Sequence, residues 1–452
     1  MVENRGNFGT KLGVILATAG SAVGLGNVWR FPYMTGDNGG AAFIIIYIAC
    51  VALLGVPCMI SEFIIGRHGA ANSARAYSKL ANGTPWKYIG ALGVLTGFVI
   101  TGYYIVVAGW CIQYMILSLT GDLQGSTEQI TQTFADFSSA PVAPIVTMLI
   151  ALLLTHFVIV RGVRSGIEAA SKLMMPALFV LLVVSVVASC MLPGAGKGVE
   201  FLLKPDFSKV DGGVFLSAMG QAFYSLSIGM GCICTYASYF SKDTRLLPSA
   251  LKICTVDVLV AILAGLMIFP AAFSVGISPD SGPSLVFITL PNVFNQAFAT
   301  MPTVGIVVAF LFYALLILAA ITSLISLHEV STAFFYEELK ISRKNGARIV
   351  TALCAIVGVF CSLSFGGRDW LYIGGKSLFD LFDFASGQIM LPLGGFLTCL
   401  FIGWYVPKSI SKGEFTNYGT LKTRLYSAWL FCVRYIAPVC IVLIFLQQMG
   451  VL

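Results

Sequence analysis

The stretch AGSAVGLGNVWRFP, from Ala19 to Pro32, decides how the rest of this chain is read. It lies where a membrane-crossing helix is expected. Yet it carries three glycines (Gly20, Gly24, Gly26), an amide at Asn27 and a guanidinium at Arg30, none of which hydrocarbon favours. Glycines this close together weaken a helix and remove the side chains that would keep a ligand off the backbone. Two uses fit: an unwound segment whose carbonyls and N–H groups face a ligand, or close packing against a neighbouring helix through small residues. The stretch alone does not choose between them.

Hydrophobic residues make up 58% of the 452 positions and charged residues only 10%, which places the chain among polytopic membrane proteins. The lipid bilayer is therefore its first partner, in an inner or plasma membrane. The first eleven residues are polar and no small-residue cleavage site follows the first apolar run, so that run reads as a retained span. A net charge of +7 invites a nucleic-acid reading, but the basic residues are spread over short loops, and nucleic-acid binding is not expected. Cysteines such as Cys50, Cys111 and Cys440 fall within apolar runs and read as small buried hydrophobes. Cys232 and Cys234 form a lone CxC without His or carboxylate neighbours, which points to packing and not to metal.

Windows of about 20 apolar residues predict eleven spans. They fall near 12–36, 41–66, 88–119, 142–160, 167–192, 213–240, 247–276, 302–336, 346–364, 377–403 and 425–449. Basic residues alternate between the loops. One set holds Arg67, Arg75, Lys79 and Lys87, then Arg161 and Arg164, Lys242 and Arg245, Arg343 and Lys344, and Lys408 and Lys412. The other set is poor in them, and the segment 120–141 holds Asp122, Glu128 and Asp136 with no basic residue. The positive-inside rule then puts the N-terminus in the cytoplasm and, with an odd number of spans, the C-terminus outside. Residues 278–300 are too polar and Pro-punctuated to span, and are expected to fold as an outside hairpin or short helix that caps the protein, with a plain loop as the alternative.

A second hydropathy break appears in the sixth span, GQAFYSLSIGMGCICTYASY from Gly220, where Ser225, Ser227, Gly229 and Gly231 cluster at mid-span. It lies five spans on from the first. Two broken spans in corresponding halves point to a ligand site at mid-membrane. AGSAVGLGNVWRFP followed by NGGAAF, GQAFYSLSIGMG in span six and LAAITSLIS in span eight together resemble the neurotransmitter:sodium symporter family, in its bacterial amino-acid branch. The resemblance runs from about Arg5 to Tyr435. It implies an all-α fold: an inverted five-plus-five helix repeat over 12–192 and 213–403, with two broken helices, plus one extra C-terminal span over 425–449.

The resemblance also implies sites for sodium, a hard cation that prefers oxygen ligands. One ion would take the Ala22 carbonyl, the Asn27 side chain, Ser225, Asp257 and the substrate carboxylate. A second would take the carbonyls of Gly20, Val23 and Ala319 with the hydroxyls of Thr322 and Ser323. Alone, the Thr322-Ser323 pair would read as hydroxyls bonded back to their own helix. Asp257 lies in the apolar run VDVLVAILAGLMIF, where an ionisable side chain is a functional candidate by default. A helix-end acid near Lys252 is the plainer account. By resemblance, chloride-dependent relatives hold a neutral residue at that position. A carboxylate there would supply the charge that bound chloride supplies in them, so no chloride requirement is expected.

Amine transporters of this family resemble the pattern but place an aspartate at the position of Gly24. Its absence here implies a substrate that brings its own carboxylate, held by Gly26 N–H, the Tyr104 hydroxyl and the first ion. Tyr104 on its own would read as an interfacial or packing tyrosine. By the same carry-over the pocket comprises Ser21, Gly24, Leu25, Gly26, Ile100, Tyr104, Tyr224, Ser225, Ser227, Met230, Ser323 and Leu327. That lining favours a large hydrophobic or aromatic amino acid, without choosing among leucine, tyrosine and tryptophan. Arg30 and Asp383 resemble an outer gate pair, and Arg5 and Glu337 an inner pair beside Tyr239; solvated loop charges are the plainer account of Arg5 and Glu337. Gly166 and Pro176 in span five either permit unwinding or mark an ordinary helix start and kink. The expected function is sodium-coupled import of hydrophobic or aromatic L-amino acids by alternating access, with a non-transporting amino-acid sensor as the alternative. No enzyme is expected, since His68, His156 and His328 share no ligand spacing.

Overall fold

The computed structural model of the chain describes residues 6–276, 285–366, 369–421 and 425–448. Among them, nine helices are long and apolar enough to cross a membrane. They are Ala41–Gly69, Pro85–Thr120, Ala143–Val160, Val163–Cys190, Leu246–Ser274, Pro302–Glu338, Arg343–Gly366, Leu378–Tyr405 and Leu425–Gln447. Two further elements complete the expected set. Lys11–Ala22 and Gly26–Asp37 form a pair bent by 53°, and Gly212–Ser225 and Cys232–Ala237 form another whose halves are each too short to cross alone. We number these elements one to eleven along the chain.

Burial sorts the spans into a centre and a rim. In spans two and three, 67% of the most apolar window is buried, against 28% in span five and 33% in spans nine and eleven. Spans two and three therefore carry packing surface on most sides, while span five presents Leu173, Val180 and Val187 outward, as a lipid-facing helix should. Among the described residues, span three makes its most extensive helix packing with span eight, and these two helices form a wall beside the broken ones.

Each break has a local cause. Span one starts where the Thr10 hydroxyl accepts from Gly13 N–H at 3.0 Å. It stops at Val23, which turns extended (φ −68°, ψ 109°). Helix resumes in a π turn, Gly26–Arg30. In span six the chain passes through left-handed conformations at Ser227 (φ 55°), Gly229 (φ 87°) and Gly231 (φ 75°). Gly229 is required twice over, because a Cβ there would also stand 2.5 Å from the Leu391 carbonyl oxygen. The backbone groups freed by this break are met by Glu62 of span two, whose carboxylate accepts from Gly229 N–H at 2.7 Å and Cys234 N–H at 3.1 Å.

Of the segment 278–300, residues up to 284 lie outside the described residues. The rest forms a π turn, Leu285–Thr289, and a helix, Leu290–Ala297. Phe287 packs edge-on against Trp29 of span one, 6.2 Å between ring centres, so this segment does cover the broken helix. Short helices at Ser73–Ala81, Thr127–Ser139, Gly196–Leu203 and Lys408–Phe415 complete the loops. Tyr372–Ile373 pairs with Lys376–Ser377 in a two-stranded antiparallel hairpin. Span five starts at Val163, ahead of the expected 167, and is continuous helix through both Gly166 and Pro176.

Candidate functional site

The two breaks meet. Ser227 Oγ of span six donates to the Ser21 carbonyl of span one at 3.0 Å, and Gln221 Nε2 donates to the Gly26 carbonyl at 3.2 Å. A cavity opens beside these contacts, and all twelve pocket residues expected from the sequence line it, together with Ala22 and Leu391. Tyr104 of span three aims its hydroxyl at the break, accepting from Leu25 N–H at 3.2 Å. Space at Gly24 is fully taken: a Cβ would lie 2.5 Å from Ser323 Oγ and 3.2 Å from Tyr104 Oη. At Gly26 a Cβ would meet the Tyr224 ring at 3.3 Å. The polar groups facing the cavity are thus backbone N–H and C=O groups and hydroxyls. Its apolar side is formed by Ile100, Met230, Leu327 and Leu391.

Below the break lies a buried knot around Asn27. Its Nδ2 donates to Asp257 Oδ1 at 2.8 Å and to Ser225 Oγ at 3.1 Å, while its Oδ1 accepts from Gly24 N–H at 3.0 Å. Ser225 Oγ donates to Asp257 Oδ2 at 2.9 Å, and Tyr47 donates to the same oxygen at 3.1 Å. Asp257 has no exposed surface and stands in the interior of Leu246–Ser274, so it is not a helix-end acid. An amide, a hydroxyl and a carboxylate converge here beside the end of the first half-helix, and that set suits a hard cation.

A second oxygen cluster joins spans one and eight. Thr322 Oγ1 donates back to the Leu318 and Ala319 carbonyls at 3.0 Å each, as an isolated threonine would. Ser323 Oγ, however, reaches across to the Val23 carbonyl at 3.4 Å. A Cβ on Gly20 would stand 3.4 Å from Thr322 Cβ. Gly20, Val23, Ala319, Thr322 and Ser323 are therefore brought together at the start of the break.

The gate residues are arranged differently from the expectation. Arg30 and Asp383 form no ion pair among the described residues. The Arg30 guanidinium lies instead over the Tyr224 ring, 4.4 Å from its centre. Arg5 lies outside the described residues. Glu337 accepts from the backbone and side-chain nitrogens of Asn72, both at 2.9 Å. Tyr239 donates to Glu329 at 2.6 Å, and Arg343 pairs with the same carboxylate through both terminal nitrogens.

Sequence reasoning missed several partners. Glu62 in ISEFIIG breaks an apolar run just as Asp257 does, and the same rule would have found it. Tyr47 in IIIYIAC carries no comparable signal, since a tyrosine in an apolar helix reads as packing. His156 and His328, distant in sequence, meet through the Thr351 hydroxyl at 2.7 Å and 2.8 Å and tie spans four, eight and nine together. No group of three metal-ligating His, Cys, Asp or Glu side chains occurs among the described residues.

Interrupted helices that meet at a buried, oxygen-lined cavity within a polytopic helical bundle define a membrane transport protein. Comparison with known proteins narrows the class. The sequence matches the Sodium:neurotransmitter symporter family over residues 5–138 and 125–452, and the chain belongs to that family. It is 38% identical over 447 residues to an uncharacterized sodium-dependent transporter of Bacillus subtilis, YhdH, covering 98% of each chain. It is 26% identical over 438 residues to the human sodium- and chloride-dependent GABA transporter 2, covering 86% of this chain and 71% of that protein. Its structure resembles the crystal structure of MhsT in complex with L-phenylalanine, with a TM-score of 0.88 and 40% identity over 98% of this chain and 100% of that one. It is thus a membrane transporter of a sodium-dependent family and not an enzyme, and its substrate is a small molecule.

Proposed function

We propose that the chain is a sodium-coupled symporter that imports hydrophobic or aromatic L-amino acids by alternating access, without chloride. The observation that carries this reading is the cavity where the two breaks meet, whose lining offers backbone dipoles and hydroxyls as one part and Ile100, Met230, Leu327 and Leu391 as another. A zwitterion suits the first part. Its carboxylate would take Gly26 N–H and the Tyr104 hydroxyl, and its ammonium would take carbonyls at the interrupted helices. Gly24 carries no acid to hold a bare amine, and a Cβ there would have to displace the Ser323 hydroxyl 2.5 Å away. The structural relative MhsT was solved with L-phenylalanine, which supports a large apolar side chain against the second part.

Two sodium ions would be carried as co-substrates. Ala22, Asn27, Ser225 and Asp257 would hold the first, in contact with the substrate carboxylate, so that each improves the site for the other. Gly20, Val23, Ala319, Thr322 and Ser323 would hold the second. The buried Asp257 carboxylate would balance the charge of the ions without a bound anion. In this reading spans one to five (12–192) and six to ten (213–403) are inverted repeats, 425–449 is an added span, and Arg30 with Asp383, and Glu337 and Tyr239 with Arg5, close opposite sides in turn. The membrane would be a bacterial inner membrane, with the N-terminus in the cytoplasm.

The test is uptake of labelled amino acid into proteoliposomes under an inward sodium gradient, with competition by all twenty amino acids and by γ-aminobutyrate. Saturable uptake that requires sodium and is displaced best by large apolar amino acids is expected. Binding without uptake would favour a sensor, and displacement by γ-aminobutyrate alone would overturn the substrate class.

A further inference from the structure

An ionisable residue inside a span is a functional candidate by default, and Arg434 is one that the transport site does not use. It sits in span eleven in a π turn, Cys432–Ile436, packed beside a second π turn, Phe401–Tyr405, that ends span ten. The last carbonyls of a helix have no partner within it. Arg434 Nε donates to one of them, that of Gly403, at 2.5 Å. A Cβ at Gly403 would stand 3.1 Å from Arg434 Cγ, so the glycine makes room for the arginine stem.

That hydrogen bond occupies one edge of the guanidinium, whose carbon also stands 5.0 Å from the centre of the Trp404 ring. The other edge is open. Nη1 and Nη2 make no hydrogen bond or ion pair among the described residues, and neither is sealed in the interior. The side chains around it face outward: Trp404 and Phe431 are each 56% exposed and Tyr435 47%. The Tyr435 ring contacts both, with centres 5.6 Å and 5.3 Å apart. Tryptophan and tyrosine collect at the headgroup level of a bilayer.

We propose that Arg434, with Trp404 and Tyr435, binds the phosphate of an anionic phospholipid in the leaflet at the Tyr405 end of span ten, an acyl chain lying along Phe431. The paired phosphate oxygens match the free edge of the guanidinium, which a helix cap alone would not need. A net negative headgroup is selected because the ammonium of a zwitterionic lipid would meet Arg434. One basic residue at the membrane surface gives a preference of about fivefold.

The experiment uses the full chain in nanodiscs containing brominated phosphatidylglycerol or brominated phosphatidylcholine, with tryptophan fluorescence as the readout. Phosphatidylglycerol should quench at about fivefold lower mole fraction. That difference should vanish in Trp404→Phe, which removes the reporter, and in Arg434→Gln, with Arg434→Lys keeping part of it. Size exclusion and circular dichroism establish that each variant is folded. Equal quenching by the two lipids in the unaltered chain overturns the proposal, as does a difference that survives Trp404→Phe. If Arg434→Gln does not fold, the unaltered chain and Trp404→Phe still decide.

Discussion

Asp257 is held by Asn27, Ser225 and Tyr47 from three different spans, and none of its surface reaches solvent. Removing one charge from such a knot without changing its shape is the sharpest test of its role. Uptake by the unaltered chain is expected to stay the same when gluconate replaces chloride. In Asp257→Asn, uptake in gluconate should fall by about tenfold, a loss of roughly 1.4 kcal/mol, and chloride should restore part of it. Chloride-sensitive uptake by the unaltered chain would refute chloride independence. At this scale the sequence was informative where a residue offends its surroundings, as Asp257 and Gly24 do. It was silent on Leu391 and Tyr47, whose side chains are ordinary for a span and acquire meaning only from partners on other spans far along the chain.

Span five illustrates what helices disclose only in three dimensions. Glu168 accepts from Gly9 N–H at 2.6 Å and from Thr10 Oγ1 at 2.7 Å, and pairs with Lys172 at 2.7 Å. The N-terminal segment thus fastens the same end of span five that holds Gly166. If that end unwinds to admit water to the second ion, amides 163–176 should exchange faster without sodium than with it. Glu168→Gln should speed them by about a further tenfold, since a hydrogen bond to a charged acceptor contributes about 1.5–3 kcal/mol. Uniformly slow exchange in sodium-free, inward-facing protein counts against unwinding. The sequence supplied the glycine and the proline but not the fastener, because Glu168 sits at a span end, where acids are unremarkable.

A second fastener joins span two to the helix Lys408–Phe415. Arg67 Nε donates to Glu414 Oε2 at 2.6 Å, its Nη1 donates to the Thr244 carbonyl at 2.5 Å and to Asn417 Oδ1 at 3.0 Å, and its Nη2 donates to the Glu414 carbonyl at 2.7 Å. Burial is the largest influence on Glu414 and pushes its carboxyl up. Hydrogen bonds from His68 and Tyr418, with the Arg67 charge, outweigh it and hold the carboxyl at about 2. The folded value lies below the unfolded one of about 4.3. The stabilising contribution is therefore complete above that unfolded value and is lost as pH falls toward 2. Glu414→Gln should lower Tm at neutral pH by roughly 2–4 °C and flatten the acid limb between about pH 4 and 2. An acid limb unchanged by the substitution would discount this clamp.

For the whole molecule, hydropathy was enough to place the spans, because lipid permits few alternatives to a long apolar helix. It did not reveal that spans two and three lie at the centre and span five at the rim, since apolar length is similar in all of them and burial depends on packing. Orientation rests on the loop charges. An epitope after Leu452 should be open to protease on intact spheroplasts and one before Met1 closed to it, and the reverse would invert the assigned topology.

The Asn27 amide has a consequence for energetics of a different kind. Its nitrogen stands 2.8 Å from Asp257 Oδ1. An aspartate at 27 would bring two carboxyls to about that separation, where both cannot ionise and one retains a proton. A proton would then do at this point what the sodium ion is proposed to do. On the proposed ion site, the difference between a chain fuelled by a salt gradient and one fuelled by acidity would be, at this point in the fold, one amide nitrogen. Asn27→Asp, assayed for uptake under an inward pH gradient without sodium, would measure how far that exchange goes.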